Sequence, residues 1–315
     1  MLIVTRSMFN TMSKRYLIPH PFSFRSSQNP FHKVPATIYI SELLSLLQDH
    51  RIPPSLEMCT MEICEQSEAF VEQDGDLIFD HTKLILREDD EYFYARANWR
   101  VSSPADISQL KINKILTQNV WPPMDSRYTP SPDPLPPNSY IKEPSLLHYG
   151  DTPASLEPGR QLLAEVEVCE VLRRNPHPNI AQYLGCVTKS GRIMGLCFVK
   201  YSMTLSQRLR KATPFDRVLC LQGIESGIKH MHTLGLIHND LNPSNIMMDE
   251  RDNPVIIDFD SCQREGAQLG LKAGTAGWAM EGTVYATRQN DFFGLSKIQK
   301  LLIGDEEKGR HGHEC

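Results

Sequence analysis

The second half of the chain is built from apolar segments with either a helical or a strand period. Within residues 159–174, apolar side chains recur every three or four positions, which predicts a helix with one buried face. Apolar runs at 180–187 and 194–201, joined by a polar turn, predict two strands. The apolar positions of 215–234 return to the helical period. This half is therefore expected to combine helices and strands.

The first half has a different pattern. Residues 37–50 place apolar side chains on one helical stripe and are followed by two prolines, which predicts a short amphipathic helix. Apolar residues at 84–86 and 92–95 flank a charged turn and predict a β-hairpin. Residues 122–137 then contain seven prolines, a density that neither a helix nor a central strand tolerates. We expect that stretch to be an extended connector.

The connector gives a domain division. The predicted order is a basic, disordered leader, an N-terminal α/β region of unassigned role, the proline-rich connector, one folded domain and a flexible tail, at 1–35, 36–121, 122–137, 138–303 and 304–315.

Composition and charge narrow the class of protein. The 315 residues are 40% hydrophobic, enough for a substantial core, and the net charge of -5 provides no basic field for nucleic acid. No apolar run is long enough to cross a bilayer, so a membrane is not an expected partner. The eight cysteines are scattered, which indicates reduced thiols in an intracellular, cytoplasmic protein. Residues 1–41 contain Arg and Lys but no Asp or Glu, so mitochondrial import is the alternative.

One stretch carries most of the candidate chemistry. Residues 238–245 read His-Asn-Asp-Leu-Asn-Pro-Ser-Asn, a polar loop between apolar flanks, and the apolar run that follows ends on Asp258. The carboxylate of Asp240 could orient a hydroxyl nucleophile, while oxygens of Asn245 and Asp258 are hard ligands suited to Mg²⁺ beside nucleotide phosphates. A turn that is rich in Asp and Asn for conformational reasons is the alternative.

This stretch resembles the catalytic loop and metal-binding strand of the protein kinase superfamily. The family pattern is H-R-D-L-x-x-x-x-N followed by D-F-G, and the second motif here reads Asp258-Phe259-Asp260. The resemblance covers about residues 138–303. It implies an α+β, bilobal kinase-like fold, with a small, mainly β N-lobe and a helical C-lobe that ends after the helix beginning near Asp291. ATP and Mg²⁺ are the cofactors that it implies.

The resemblance also assigns roles around the nucleotide. Lys142, at the end of a short predicted strand, would orient the phosphates and pair with a helix glutamate. Glu165 has apolar residues three, four and seven positions later, which turns it inward, so it is the expected partner, with Glu167 as the fallback. Main-chain groups of Lys200 and Tyr201 would meet the adenine edge. The catalytic set is then Asp240, Lys142 and Asn245, and the metal ligands are Asn245 and Asp258.

Three further positions follow from the resemblance. Val199 would lie at the back of the adenine pocket. Residues 274–278, Gly-Thr-Ala-Gly-Trp, resemble the stretch that shapes the peptide-acceptor site. Asp291 would hold the main chain of the catalytic loop, with a helix N-cap as the alternative role.

The chain also departs from the family pattern. Asn239 replaces the Arg that receives an activation-loop phosphate, Asn242 replaces the Lys that neutralises the transferred phosphate, and Asp260 replaces a Gly. No G-x-G-x-x-G motif precedes Lys142, so any phosphate cover would come from the hairpin at 84–95 or be missing. We expect the helices that follow Asp291 in the family to be lacking. These features are similar to a divergent group of fungal kinase-like proteins.

Three functions remain open from the sequence. The first is ATP- and Mg²⁺-dependent phosphoryl transfer to Ser or Thr hydroxyls of protein substrates. The second is a pseudokinase that binds nucleotide and a protein partner, and the third is a small-molecule phosphotransferase. Activity is favoured because all five polar residues of the expected site are retained: Lys142, Glu165, Asp240, Asn245 and Asp258. Residues 274–278 favour a protein acceptor.

Overall fold

The computed structural model of the chain describes residues 3–6, 61–74, 76–101, 106–151, 155, 158–269 and 274–304. The chain forms two compact units, Met1–Ile115 and Leu116–Cys315. The helix predicted at 37–50 and the tail beyond residue 304 lie outside the described residues.

The first unit contains a five-stranded antiparallel sheet in which sequence neighbours pair in the order β1-β2-β3-β4-β5. Alternate residues of β3 and β4, such as Leu84, Leu86 and Ala95, pack into its core. The hairpin predicted at 84–95 is present, with its turn at Asp89 and Asp90. The strands are β1 (Ile3–Arg6), β2 (Glu62–Gln73), β3 (Asp76–Glu88), β4 (Glu91–Ala97) and β5 (Asn113–Lys114).

The first strand differs from the sequence prediction. Residues 3–6 lie within the expected disordered leader but pair antiparallel with β2, with Ile3 opposite Val71. Their backbone groups extend the sheet by one strand. The hydrophobic pattern of four residues was too short to show this.

The second unit begins with a small β lobe. Its sheet has the order β6-β8-β7 and carries a long helix, α2, against it. All three strands and α2 occur where the sequence predicts them, within a few residues at each end. The elements are α1 (Thr117–Val120), β6 (Ser139–Lys142), α2 (Pro158–Arg174), β7 (Tyr183–Lys189) and β8 (Arg192–Val199).

The proline-rich stretch does not separate two domains. The unit boundary lies at Ile115 and Leu116, so residues 122–137 belong to the second unit. The Cys186 N–H donates to the Thr129 carbonyl at 2.7 Å, and the Ser131 N–H donates to the Cys186 carbonyl at 2.8 Å. Extended backbone, which prolines favour, can pair with a sheet edge. Residues 129–131 are extended and lie along β7, whereas residues 126–127 form a turn, so the stretch is part of the lobe and is extended only in part.

A helical lobe follows. It contains α3 (Leu205–Arg208), α4 (Arg217–Thr233) and α5 (Arg288–Ile303), together with the short strands β9 (Met203–Thr204), β10 (Leu236–Ile237), β11 (Ile246–Met248), β12 (Pro254–Ile256) and β13 (Gln263–Arg264). Asp216 caps α4 by accepting the Leu219 N–H at 2.8 Å. Val218 and Leu219, two apolar residues at its start, are exposed, so the apolar stripe is narrower than predicted.

One core runs through both lobes of the second unit. It joins side chains of α2, β7 and β8 to those of α4, β11, β12 and α5. Five of the predicted reduced cysteines are buried free thiols and Cys64 is an exposed one, whereas Cys59 and Cys315 are outside the described residues. In the part of the chain that the structure describes, no helix has the length and apolar character needed to cross a bilayer.

Candidate active site

The loop between β10 and β11 is anchored by a buried carboxylate from α5. Asp291 is fully buried, and its two oxygens accept the main-chain N–H groups of His238 at 3.0 Å and Asn239 at 2.8 Å. His232 donates to the same carboxylate at 2.8 Å. The helix N-cap is Thr287, so the loop-holding role, and not the cap, describes the contacts of Asp291. This arrangement fixes the backbone immediately before Asp240.

Asp240 projects from the anchored loop. Its Oδ1 accepts the Thr275 N–H at 2.8 Å and the Asn242 amide at 3.1 Å, while Oδ2 accepts the Asn245 amide at 2.9 Å. A carboxylate can accept about four hydrogen bonds. The described residues supply three, which leaves one acceptor position on Oδ2 for a further donor.

Asn245 and Asp258 lie at one end of the β11–β12 hairpin. Ile246 is the Cα partner of Ile256, and the Ile257 N–H donates to the Asn245 carbonyl at 3.0 Å. Asp258 has a positive φ of 66°, a conformation that is uncommon outside glycine and is often found at functional sites. Because the amide nitrogen of Asn245 is bonded to Asp240, its side-chain oxygen is the atom open to a metal.

Lys142 joins the small lobe to this end of the hairpin. Its Nζ lies 2.6 Å from Glu165 Oε1 on α2, 2.6 Å from Asp258 Oδ1 and 3.8 Å from Asp260 Oδ2. Glu165 is buried, as its inward apolar pattern predicts, whereas Glu167 is exposed and accepts a bond from the Tyr128 hydroxyl at 3.4 Å. The structure therefore brings Lys142 together with Glu165 and not with Glu167.

The carboxylates of this cluster favour the charged form of Lys142, whereas burial disfavours the charged form of Glu165. Burial alone would lower the pKa of the Lys142 ammonium, but the carboxylates of Glu165, Asp258 and Asp260 outweigh it, so the pKa is raised above its usual 10.5. Burial raises the pKa of the Glu165 carboxyl, against the opposing effect of Lys142. Lys142 thus stays protonated at neutral pH, as a group that binds phosphate must.

The expected hinge follows β8. The Lys200 N–H donates to the Asn138 carbonyl at 3.1 Å, and the Tyr201 hydroxyl accepts the Gln182 N–H at 3.5 Å. No described residue bonds to the Tyr201 N–H or the Lys200 carbonyl, which leaves a donor and an acceptor at this point. The Lys200 side chain is exposed.

Comparison with known proteins agrees with this geometry. The model of the protein kinase domain family matches residues 151–292. The second unit of the chain belongs to the protein kinase superfamily. Its β lobe and helical lobe are those of a kinase-like α+β fold.

Individual relatives of the chain are named as kinases. The chain is 29% identical over 161 residues to the serine/threonine-protein kinase/endoribonuclease IRE1 of Hypocrea jecorina, covering 43% of this chain and 13% of that protein. It is 30% identical over 119 residues to cyclin-dependent kinase 11.1 of Caenorhabditis elegans, covering 35% and 17%. For the serine/threonine-protein kinase STY17 of Arabidopsis thaliana the identity is 26% over 148 residues, covering 43% and 25%. The chain thus spans at most a quarter of the length of these three proteins.

The residues of the kinase domain that depart from the family pattern have hydrogen-bond partners of their own. Asn239, in place of Arg, is buried, and its amide donates to the Ser261 carbonyl at 3.0 Å while its oxygen accepts from Asn290 at 2.9 Å. Asn242, in place of Lys, is also buried and bonds to Thr275 Oγ1 at 3.3 Å. The left-handed residue of the Asp-Phe-Asp motif is Asp258, so Asp260 does not need the conformational freedom of glycine.

The segment at 274–278 of the kinase domain lies beside Asp240. The Thr275 N–H contacts the Asp240 carboxylate, and a Cβ on Gly274 would lie 2.9 Å from the Asn239 carbonyl, so a side chain there would displace the loop. A groove of about 400 Å³ adjoins this segment and is lined by Gly277, Ala279, Met280, Glu281, Phe293 and Lys297.

Sequence reasoning missed several residues of this site. His232 pairs with Asp291, but nothing in a helical stripe distinguishes it from an ordinary core residue. Val199 was expected behind the base, yet it is opposite Ser139, whereas Phe198 is the partner of Tyr140 and shares the face of Lys142. The strand register decides that point. The sequence around Lys142 shows which residues of β6 share its face, but not which residues of β8 lie opposite them.

Proposed function

We propose that the chain transfers the γ-phosphoryl group of ATP, with Mg²⁺ as cofactor, to Ser or Thr hydroxyls of protein substrates. The observation that carries this proposal is the pair of 2.6 Å contacts from Lys142 to Glu165 and Asp258. They place a protonated amine from the small lobe against the carboxylate that follows β12. A cation held at that position can bind the phosphates of a nucleotide.

Asp240 is the proposed base. The free acceptor position on Oδ2 can take a hydrogen bond from an incoming hydroxyl and orient its oxygen toward phosphorus. The hydroxyl oxygen forms a bond to the γ-phosphorus, the bond from phosphorus to the bridging β-phosphate oxygen breaks, and the hydroxyl proton passes to Asp240. Thr275 and Asn245 keep the carboxylate in place during this exchange.

Mg²⁺ fits the donor set of the site. The side-chain oxygen of Asn245 and the carboxylate of Asp258 are hard oxygen ligands at one end of the hairpin, and Mg²⁺ usually takes one or two protein ligands together with substrate phosphates. When bound, the ion would offset the negative charge of the phosphates. Lys142 contacts Oδ1 of Asp258, so Oδ2 is the oxygen that could bind the metal.

The acceptor side favours a polypeptide. The groove beside residues 274–278 is open and combines apolar side chains, Met280 and Phe293, with the charged Glu281 and Lys297. Such a surface can hold an extended peptide whose hydroxyl reaches Asp240.

A second candidate is a module that binds nucleotide and a protein partner without transfer. Asn242 favours it, because a buried amide stands where a cation would stabilise the transferred phosphoryl group. Each of the two candidates predicts a different outcome in a transfer assay.

The test is transfer of labelled γ-phosphate from MgATP to generic protein acceptors and to small alcohols. Wild type should label proteins, and Asp240→Asn should lower the rate about 10²- to 10⁴-fold while keeping nucleotide affinity. Glu250→Gln, which removes an exposed carboxylate from the β11–β12 turn, is the matched control and should leave the rate unchanged. Nucleotide binding without transfer would establish the second candidate. Labelling of small alcohols alone would make the chain a small-molecule phosphotransferase.

A further inference from the structure

Two acidic side chains of α2 are buried on different sides of the helix. Glu165 and Glu170 are 4% and 3% exposed, whereas Glu167 between them is exposed. An α-helix turns by about 100° per residue, so side chains five positions apart point in directions that differ by about 140°. The helix therefore presents one buried carboxylate to Lys142 and the other to a different part of the small lobe.

The second carboxylate is held by the proline-rich stretch. The Thr129 N–H donates to Glu170 Oε1 at 2.6 Å, and the Thr129 hydroxyl donates to Oε2 at 3.1 Å. Arg173 Nε, from the next turn of α2, donates to Oε2 at 3.3 Å. A buried carboxylate needs such donors, because an ionised group that loses water without gaining partners is costly. Thr129 supplies two of the three hydrogen bonds that the described residues make to Glu170.

Thr129 is also fixed to β7. Its carbonyl accepts the Cys186 N–H at 2.7 Å, and the Ser131 N–H donates to the Cys186 carbonyl at 2.8 Å. The preceding residue, Tyr128, is 7% exposed and packs in the same core as the buried side chains of α2 and β7. The stretch thus connects the Glu170 side of α2 to the sheet.

The first carboxylate has its partners on the active-site side of the helix. Glu165 Oε1 accepts from Lys142 Nζ at 2.6 Å and from the Phe259 N–H at 3.3 Å. Since α2 is one continuous helix of 17 residues, a rotation that brought Glu170 to water would also turn Glu165 away from these partners. The contacts at the two carboxylates therefore support each other.

We propose that Thr129 and Glu170 form a clamp that sets the rotation of α2 and so keeps Glu165 in contact with Lys142. Both are positioning residues, because they act on the nucleotide site through the helix and not by touching the phosphates. This inference rests on the proposed function, since it takes the phosphates to be at Lys142. It gives the proline-rich stretch a part in supporting that site.

The test measures the affinity for MgADP by titration calorimetry on the full chain, at a temperature below the onset of thermal unfolding of each variant. Thr129→Asp puts a second carboxylate against Glu170 and should weaken MgADP binding about tenfold or more. Thr129→Ser keeps both donors and should stay within about twofold of wild type. Thr188→Asp, the same change at an exposed threonine of β7, should also stay within about twofold.

A double substitution tests whether the effect passes through Glu165. If it does, Thr129→Asp should change the affinity of a Glu165→Gln chain by less than about twofold, because the contact that it disturbs is already lost. A general weakening of the small lobe would instead lower the affinity by the same factor in both backgrounds. Should Thr129→Asp fail to fold, Thr129→Val, which removes the hydroxyl donor alone, gives the same comparison with an expected loss of about three- to tenfold.

The outcomes separate this inference from the proposed function. If Thr129→Asp and Thr129→Val bind MgADP as wild type does while Lys142→Met has lost it, the clamp is wrong and the nucleotide site stands. An equal loss in the wild-type and Glu165→Gln backgrounds also overturns the clamp, because Thr129 then acts on the lobe and not on Glu165. If wild type binds no MgADP, both proposals fall.

Discussion

Oδ1 of Asp291 accepts the main-chain N–H of Asn239 at 2.8 Å. Asp291 lies on α5, 52 positions after Asn239, and it fixes the backbone that leads directly into Asp240, the proposed base. Asn239 itself has a positive φ of 65°, which costs little for asparagine but still needs support. The buried carboxylate and the left-handed backbone thus depend on each other.

Replacing Asp291 should therefore destabilise the kinase domain. Asp291→Asn puts an amide NH₂ against N–H donors and leaves buried groups without acceptors, so we expect a loss of about 2–4 kcal/mol in the free energy of unfolding. Urea unfolding measures it. Glu225→Gln, which breaks the surface pair with Lys229, is the control and should cost less than about 0.5 kcal/mol. A loss for Asp291→Asn as small as that of the control would contradict the anchoring role.

Glu165 and Glu167 provide a matched pair for the nucleotide site. Glu165→Gln removes the carboxylate that holds Lys142 and should lower kcat/KM for ATP about 10- to 100-fold. Glu167→Gln changes an exposed side chain two residues away on α2 and should stay within twofold. Steady-state kinetics over a range of ATP concentrations measures both. Equal effects of the two substitutions would show that the contact with Lys142 is not what matters.

The attachment of the proline-rich stretch to β7 can be tested at a glycine. Gly185 has a φ of 137°, and a Cβ there would lie 2.5 Å from the main chain of Pro130. Gly185→Ala should cost about 3 kcal/mol or more from strain and overlap together.

The control for that change is in the same hairpin. Gly191 is also left-handed, with a φ of 74°, but no described atom lies within 4 Å of its Cβ position, so Gly191→Ala should cost only about 1 kcal/mol. Thermal unfolding of the two variants measures the difference. Similar losses in both would mean that residues 122–137 do not lie against β7.

Two stacked histidines predict a pH dependence of stability. The rings of His177 and His230 are 4.9 Å apart, and His177 Nδ1 accepts the Asn179 N–H at 3.2 Å. Burial and the neighbouring His230 lower the pKa of His177 below its usual 6.5. The unfolded state therefore binds more protons in the range just below pH 6.5, and stability rises with pH through that range and falls as the pH drops.

His177→Asn should remove this contribution and keep an acceptor for the Asn179 N–H. The fall in urea midpoint between pH 7.5 and pH 5.5 should be larger for wild type than for the variant. His148→Asn, at a ring that is 62% exposed, should behave as wild type. An equal fall in wild type and His177→Asn would count against the role of the pair.

Local patterns predicted much of the kinase domain. The periods of α2, α4 and the strands gave their positions, and the apolar residues after Glu165 gave its inward direction, because both depend on neighbours in the sequence. The contact between Asn239 and Asp291 spans 52 residues, and the contact between Lys142 and Asp258 spans 116. These residues could therefore be identified from the sequence only through resemblance to a family.

What could not be predicted depended on register and edges. The seven prolines at 122–137 indicated extended backbone, but not that it would pair with β7. The choice between Val199 and Phe198 needed the alignment of β6 with β8. Neither the pairing with β7 nor the register of β6 and β8 can be predicted from local sequence, because sheet pairing joins segments that are far apart in the chain.

The proposed nucleotide and metal site can be tested by the thermal shift that ATP produces, with and without Mg²⁺, in wild type, Asp258→Asn and Glu250→Gln. A ligand that binds only the folded state stabilises it by RT ln(1 + [L]/Kd), so at a fixed ligand concentration tighter binding gives a larger rise in the midpoint. We expect a larger shift with Mg²⁺ than without it in wild type and Glu250→Gln, and loss of the Mg²⁺-dependent part in Asp258→Asn. A wild-type shift that is zero, or that is the same in Asp258→Asn, would contradict a nucleotide and metal site at Lys142, Asn245 and Asp258.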